Sequence, residues 1–527
     1  MNDRVLGIAN TCTADGHLAG AGTRALQRTA GILGLSGVLV STFLLCAGAA
    51  AAPTIYVPGR SGGWPGWMAG PLRNLGLSLD DSSFQTLTLI MAGSYLLVLL
   101  CTRVLPMWAL AGAIVAAHVI LLLGPPLISQ DVFGYLGFAR LGALHGLDPY
   151  TNYPVRIFTD PVYPFLGWPY QHSPYGPLFT LGSYAIAPLG LAGGLWAFKT
   201  VAVLSSLGAV ALVGRAAGRL GHSRRWAVAF LGLNPVLLEL AVGGAHNDTL
   251  VMLLLALALA LTATAASTAV ASSASNTAIT PHAAPTASTP FPQSPLARAG
   301  SRHATPTPSP HYNLASASLV AAVAVKASAG LVLPYLLLAP AHGRERLRAL
   351  RAAVLSLAAL AALAAIGFGA HAFGFLSALR EQQQLVAVHS IPAETARLVG
   401  LSGTPGWWRN ALLGGFAAVL LLTLWRTWRG AEWRAQAGWA TLALLLATAW
   451  LLPWYAIWAL PLAAVSSSRR LRAATLLFCA YALLIHLPLA KPLLSPPRQK
   501  HAARVRIPHT LAAPARSVRS GPNPSSP

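Results

Sequence analysis

The stretch Pro106–Leu127, PMWALAGAIVAAHVILLLGPPL, runs directly into Ile-Ser-Gln-Asp-Val-Phe-Gly-Tyr at 128–135, and its reading decides the fold. It holds no charged residue. A membrane-crossing helix needs about 20 mostly apolar residues, because every backbone amide must be satisfied inside the bilayer core. Similar runs lie at 30–52, 84–102, 195–214, 226–244 and 247–266, and again at 314–341, 352–370, 409–425, 436–452, 453–467 and 472–490. The composition agrees: of 527 residues 55% are apolar and only 9% charged, with a mean hydropathy of +0.58. A soluble chain carries about 25% charged residues, so a soluble enzyme is excluded. Cys12, Cys46, Cys101 and Cys479 are scattered without metal or redox spacing. The expectation is an all-α membrane protein, a polytopic helical bundle. No cleavable signal is expected, since the first apolar run starts late.

Net charge is +23, which in a soluble chain would suggest nucleic acid. Here the arginines sit in short clusters between apolar runs, where the positive-inside bias places them, so no nucleic-acid partner is expected. The clusters are Arg215, Arg219, Arg224 and Arg225; Arg344, Arg346, Arg348 and Arg351; Arg426, Arg429 and Arg434; Arg469, Arg470 and Arg472. Placing all four inside requires 314–341 to go out and back, turning at Lys326–Gly330, and keeps 175–194 from crossing fully. The total becomes about 13 transmembrane helices with an inside N-terminus. The loops 53–83, 128–194 and 371–408, with the corners at 244–247 and 453–455, then share the outer face. The expected organisation is a cytoplasmic segment 1–29, a transmembrane domain 30–490, a disordered Ala/Ser/Thr/Pro-rich insert 267–313 and a basic disordered tail 491–527. A mucin-like exterior stalk is the competing reading of the insert. The tail's basic charge runs against the exterior side that helix parity gives it.

Only 13 acids are available for chemistry. Asp131 opens an amphipathic run that reaches Gly146, just after a span. A carboxylate at the outer mouth of a bundle is desolvated enough to act as a base while still meeting a water-borne acceptor. Satisfying the helix dipole explains it equally well. The run ends at Gly146-Leu-Asp-Pro-Tyr150, and the loop continues through Trp168-Pro-Tyr-Gln-His-Ser-Pro-Tyr175-Gly-Pro177. Stiff, aromatic and His-bearing, it suits sugar stacking. It also suits a membrane-interface belt.

Gly243-Gly-Ala-His246-Asn247-Asp248 places three polar side chains at the start of a span, where they are expensive unless they face protein or water. An N-cap is the alternative. Lys326, alone in an apolar run, needs an anion or a route to the interface by snorkelling; a phosphate partner fits its charge. Arg140, Arg380 and Arg397 are further outer-face cations able to hold a lipid phosphate. His389–Glu394 and Trp454-Tyr455 can complete an outer cavity. Glu239, inside the span 226–244 near Asn234, has no role beyond a polar contact between helices. No Walker loop, zinc-ligand pair or nucleophile elbow is present.

Taken in order, Asp131-Val-Phe-Gly-Tyr135, Gly146-Leu-Asp-Pro-Tyr150, Ser173-Pro-Tyr-Gly-Pro-Leu178, Gly243-Gly-Ala-His-Asn-Asp248, Lys326-Ala-Ser-Ala-Gly-Leu-Val-Leu-Pro334 and Trp454-Tyr-Ala-Ile-Trp-Ala-Leu-Pro-Leu462 resemble the actinobacterial polyprenyl-phosphomannose-dependent α-1,6-mannosyltransferases. These are GT-C-fold membrane glycosyltransferases of lipomannan and lipoglycan core synthesis, and the likeness runs from about residue 85 to 490. The resemblance implies exterior juxtamembrane helices and a catalytic base on the first large exterior loop, which here falls on Asp131. It implies a polyprenyl-phosphate-linked sugar donor and a lipid-anchored mannoside acceptor, met among membrane lipids by an outward-facing site. The 267–313 insert and the basic tail depart from the pattern.

Within that reading His246, Asn247 and Asp248 position sugar hydroxyls or orient Asp131. Lys326 with Arg140 or Arg380 meets the leaving phosphate, and Tyr135 and Tyr175 join the substrate-binding set. No cofactor is implied, although Asp131 and Asp248 can share a divalent ion. The rivals are a GT-C transferase using an arabinofuranosyl or hexosyl carrier, and a transporter or flippase. A transporter needs charge near the bilayer midplane, where Glu239 and Lys199 are the available groups.

Overall fold

The computed structural model describes residues 11–51, 65–277 and 310–487, and among these the chain is entirely helical with no strand. Among the described residues, six helices are long and apolar enough to cross a membrane: Gly22–Ala51, Asp81–Cys101, Ala187–Arg219, Asp248–Ser267, Gly343–His371 and Gly406–Trp428. The protein is a helical membrane protein. The other apolar runs form shorter helices, Met107–Leu123, His311–Val325, Ala327–Leu338 and Pro453–Val465, together with a bent pair, Arg224–Gly232 and Val236–Val242, angled by 43°. The expected insert and basic tail lie outside the described residues, except that one flanking helix runs on to Thr277 and the next begins at His311.

Breaks in the apolar runs have local causes. Pro235 has no N–H to donate, and Asn234 takes over by accepting from the Val236 N–H at 3.0 Å while its amide donates to the Tyr95 hydroxyl at 3.2 Å. Tyr95 in turn donates to the Phe230 carbonyl at 2.8 Å. The following π-helical turn, Val236–Val242, carries Glu239, whose two oxygens share the Thr88 hydroxyl at 3.0 Å each. That is a polar contact between helices. The stretch 175–194 breaks into the eight-residue helix Pro177–Tyr184 and a turn at Ala187–Leu189. At about 1.5 Å per residue, eight residues cannot span a bilayer.

The run 314–341 breaks at Lys326, which is extended (φ −152°, ψ 122°), before Ala327–Val332 and Leu333–Leu338 fold back against His311–Val325. Helix Gly22–Ala51 packs closely on Asp81–Cys101, because a Cβ at Gly34 would stand 2.9 Å from the Ser94 carbonyl oxygen. On Gly343–Phe368 and Gly406–Trp428, Leu355 is 70% exposed and Leu421 68%, which is the surface expected of helices facing lipid.

Two tight loops end up side by side. Leu127 donates its N–H to the Gly243 carbonyl at 2.9 Å, joining the segment that leads to Asp131 with the one that leads to His246. Each loop contains a non-glycine residue at positive φ, Ile128 at 70° and Ala245 at 54°. A β-branched residue there is an outlier held by its surroundings.

A third loop is pinned at Gly176, whose N–H donates to Val325 at 3.0 Å. A Cβ on Gly176 would fall 2.3 Å from the Ala324 carbonyl oxygen. Gly176→Val is therefore expected to destabilise the protein by about 1–3 kcal/mol, seen as a lower thermal unfolding midpoint in detergent. Gly182→Ala, where a Cβ meets nothing within 4 Å, should leave the midpoint unchanged or raised.

Candidate active site

Asp131 is the first residue of helix Asp131–Ala143. Its own N–H donates to the Ser129 hydroxyl at 3.1 Å. Its carboxylate Oδ2 lies 3.4 Å from His246 Nδ1, with 14% of the Asp131 side chain exposed and none of the His246 ring. Burial pushes the Asp131 carboxyl upward. Hydrogen bonding and charge from His246, the Lys326 ammonium and the Ser129 hydrogen bond outweigh it and hold the group below the ordinary carboxylate range. His246 stacks on Trp454 with ring centroids 3.9 Å apart. The Tyr135 hydroxyl lies 3.5 Å from His246 Nδ1 and 3.4 Å from Asn247 Oδ1, and accepts from the Asn247 N–H at 3.3 Å.

Asp248 and Lys326 form the second half. The Lys326 ammonium contacts both Asp248 oxygens, at 2.8 and 2.9 Å, and the Trp458 indole donates to Oδ1 at 2.6 Å. Asp248 is fully buried and Lys326 keeps 14% of its side chain exposed. The ammonium also sits 4.5 Å from the Tyr455 ring centroid and 5.4 Å from that of Trp458, a cation–π arrangement. The break after Val325 turns an apolar helix aside and lets this one charge face outward from the packed core.

Both halves border one cavity of about 540 Å³, lined by Asp131, Tyr175 and Lys326 with Gln130, Trp168 and His172 from the segment between residues 128 and 177 and Trp454, Tyr455 and Trp458 from the aromatic corner. Of the residues singled out in the sequence, Asp131, Tyr175, Lys326, Trp454 and Tyr455 reach this wall, whereas His389–Glu394 does not. Tyr135, His246, Asn247 and Asp248 stand behind it, and Tyr135 meets Tyr175 edge-on at 5.0 Å. Arg140 is elsewhere. Its guanidinium is held by Asp160 at 2.8 Å, with His145 on the same carboxylate at 2.8 Å. Arg397 pairs with Glu394, as does His389, and Arg380 is exposed on helix Phe375–Gln383.

Trp458 had no individual role in the sequence, since an indole in an uncharged aromatic stretch looks the same in a belt and in a site. Asp131 and Asp248 face different partners, His246 and Lys326. Among the described residues, no group of three or more His, Cys, Asp or Glu side chains is placed to hold a metal ion.

The chain is thus a helical membrane protein whose aromatic-walled cavity carries a carboxylate backed by buried side chains and an ammonium. The alpha-(1->6)-mannopyranosyltransferase N-terminal domain matches residues 37–342, and the MptB C-terminal domain matches residues 406–505. The chain belongs to this alpha-(1->6)-mannopyranosyltransferase family. It is similar to alpha-(1->6)-mannopyranosyltransferase A of Mycobacterium tuberculosis, at 28% identity over 386 residues, 67% of this chain and 64% of that protein. It is also similar to alpha-(1->6)-mannopyranosyltransferase B of Corynebacterium glutamicum, at 28% identity over 141 residues, 25% of this chain and 23% of that protein. The matched stretches thus span less than two thirds of these relatives' own lengths. No solved structure matches the chain.

Removing one partner of a buried ion pair leaves an uncompensated charge, which costs about 3–5 kcal/mol. Lys326→Met should destabilise the protein by that order, and the double variant Lys326→Met/Asp248→Asn should recover much of the loss. Detergent thermal unfolding of the two singles and the double checks this; strictly additive losses would show that the two side chains are not coupled.

Proposed function

We propose that the protein transfers mannose from a polyprenyl-phosphate-linked donor to a hydroxyl of a lipid-anchored mannoside, forming an α-1,6 linkage at the outer face of the membrane. The observation that carries this reading is the shared cavity wall: Asp131 and Lys326, a free-facing carboxylate and a cation, border the same aromatic-lined space. The names of the relatives and of the family support the sugar and the linkage. The arginine clusters support the outward face and a bundle of about 13 crossings, and the family likeness supports the GT-C type.

The step is a displacement at the anomeric carbon. The acceptor oxygen forms a bond to that carbon, the bond from the carbon to the phosphate oxygen breaks, and the acceptor proton passes to Asp131. A carboxylate held below its ordinary range is a weak base, which suits late proton transfer: once the new C–O bond is advanced, the acceptor hydroxyl has become strongly acidic. His246, fully buried against Trp454, cannot touch substrate and instead orients Asp131. The ammonium of Lys326 has three donors, so a phosphate oxygen can be met while Asp248 is kept, and charge developing on the leaving phosphate is stabilised there. Trp168, Tyr175 and Trp454 supply faces for sugar rings.

A transporter would route charge through the bundle interior. The two ionisable side chains singled out there are occupied, Glu239 by Thr88 and Lys199 by the carbonyl of Gly124.

Purified protein with polyprenyl phosphomannose and a short α-mannoside tests the reading. Asp131→Asn should lower kcat about 10²- to 10⁴-fold with the fold intact; equal turnover by the variant would remove Asp131 from the base role. The pH profile has a defined sign. Asp131 is active when ionised, so its low position should carry wild-type kcat/KM to pH values below the ordinary carboxylate range before the acid limb falls. His246→Ala removes the partner that most lowers it, and the acid limb should move to higher pH.

A further inference from the structure

A second, apolar cleft meets the polar cavity at one point. It is a narrow seam of about 30 Å³ between helix Asp248–Thr277, the segment Ala327–Val332 and helix Trp433–Ala447, walled by Met252, Leu255, Leu319, Val332, Leu444 and Ile457. Ser328 and Trp458 line both spaces. Ser328 stands two residues beyond Lys326, on the turn that follows the break, and its hydroxyl oxygen is buried with no hydrogen-bond partner. Burying a hydroxyl without a partner costs about 1–3 kcal/mol.

The junction therefore joins a cation, an unpaired hydroxyl and the mouth of an apolar seam. From this geometry we infer that Lys326 and Ser328 form the seat for the phosphate of an isoprenoid phosphate, whose hydrocarbon tail lies in the seam while its head group stays in the cavity. The inference rests on the proposed transfer reaction for the identity of the head group, and on the two adjoining spaces for everything else. The Ser328 hydroxyl donates to a phosphate oxygen beside the ammonium, which answers its lack of a partner. The seam has room for little more than one water-sized body, so the tail enters by parting flexible side chains such as Met252, Leu331 and Leu444. An apolar chain there leaves water and gains about 0.8 kcal/mol for each buried CH₂.

The test separates lipid binding from catalysis. A polyprenyl phosphate with a diazirine in its tail, and no sugar, is photolysed with the full-length protein in detergent, and labelled peptides are mapped. Labelling is expected on 251–255, 328–332 and 441–444. Unlabelled polyprenyl phosphate should compete it away; inorganic phosphate and phosphatidic acid should not.

Ser328→Ala should weaken competition by polyprenyl phosphate about 10-fold, the size expected for a hydrogen bond to a charged group. Ala329→Phe and Leu444→Trp, which fill the seam, should abolish labelling there. Leu355→Phe, on an exposed helix face, serves as the folding-matched control. Labelling that maps elsewhere, that survives both seam-filling variants, or that phosphatidic acid competes equally would overturn the assignment.

Transfer assays with a long polyprenyl phosphomannose and a single-isoprene analogue add a second reading. The seam-filling variants should lower the ratio of long-donor to short-donor kcat/KM by at least about 10-fold, and an unchanged ratio would also overturn the assignment. Seam labelling in a wild-type protein that transfers no mannose would instead reject the proposed reaction and leave the lipid-phosphate site standing.

Discussion

A single carboxylate withdrawn from water organises one end of this bundle. Asp248 is fully buried, and it holds the Lys326 ammonium on one side and the Trp458 indole on the other. Those three residues come from the start of one helix, the break after another and an aromatic corner more than a hundred residues further on. A carboxylate in such a place is unfavourable unless paired, and a lone lysine in an apolar run is equally so. Each therefore requires the other. The pairing fixes where helix His311–Val325 must stop, and with it the wall of the cavity.

The opposite wall depends on backbone rather than charge. The hydrogen bond from Leu127 to Gly243 joins two loops that each bend through a left-handed non-glycine residue, Ile128 and Ala245. Strained positions of this kind persist only where neighbours over-determine them, and they cluster at functional sites. Here they aim Asp131 and His246 at one another. The carboxylate stays partly open to the cavity while the imidazole is sealed behind it against Trp454. In the proposed reaction, the group that exchanges a proton with substrate and the group that holds it in place are thereby given different access to water.

Much of this was legible because the chain carries so few charges. With 13 acids in 527 residues, an isolated Asp131 or Lys326 stands out against its apolar setting. The break at Lys326 followed from the arginine clusters, which require 314–341 to go out and back. Pairing was less legible: Arg140 has the charge to meet a phosphate, yet it is occupied by Asp160, which sits 20 residues away in an irregular loop whose path no periodicity reveals. Trp458 was hidden by its chemistry, since aromatic residues without charge have several uses near a membrane surface. The division between cavity-wall and backing residues also needed three dimensions. Asp131 and His246 belong to motifs of equal prominence, and only packing shows that one is reachable and the other is not. Crossings were blurred for a related reason, because prolines and a π-helical turn cut long apolar runs into shorter helices.

In the proposed arrangement, residues far apart in sequence open onto one extracytoplasmic cavity. Gln130 and Ala327 both line it, from the loop before Asp131 and the turn after Lys326. Single cysteines at these two positions, in intact cells treated with a membrane-impermeant thiol reagent, test the claim most directly. Both should react from outside, and both should be protected by polyprenyl phosphate. Reaction of one from outside and the other only after the membrane is opened would contradict it.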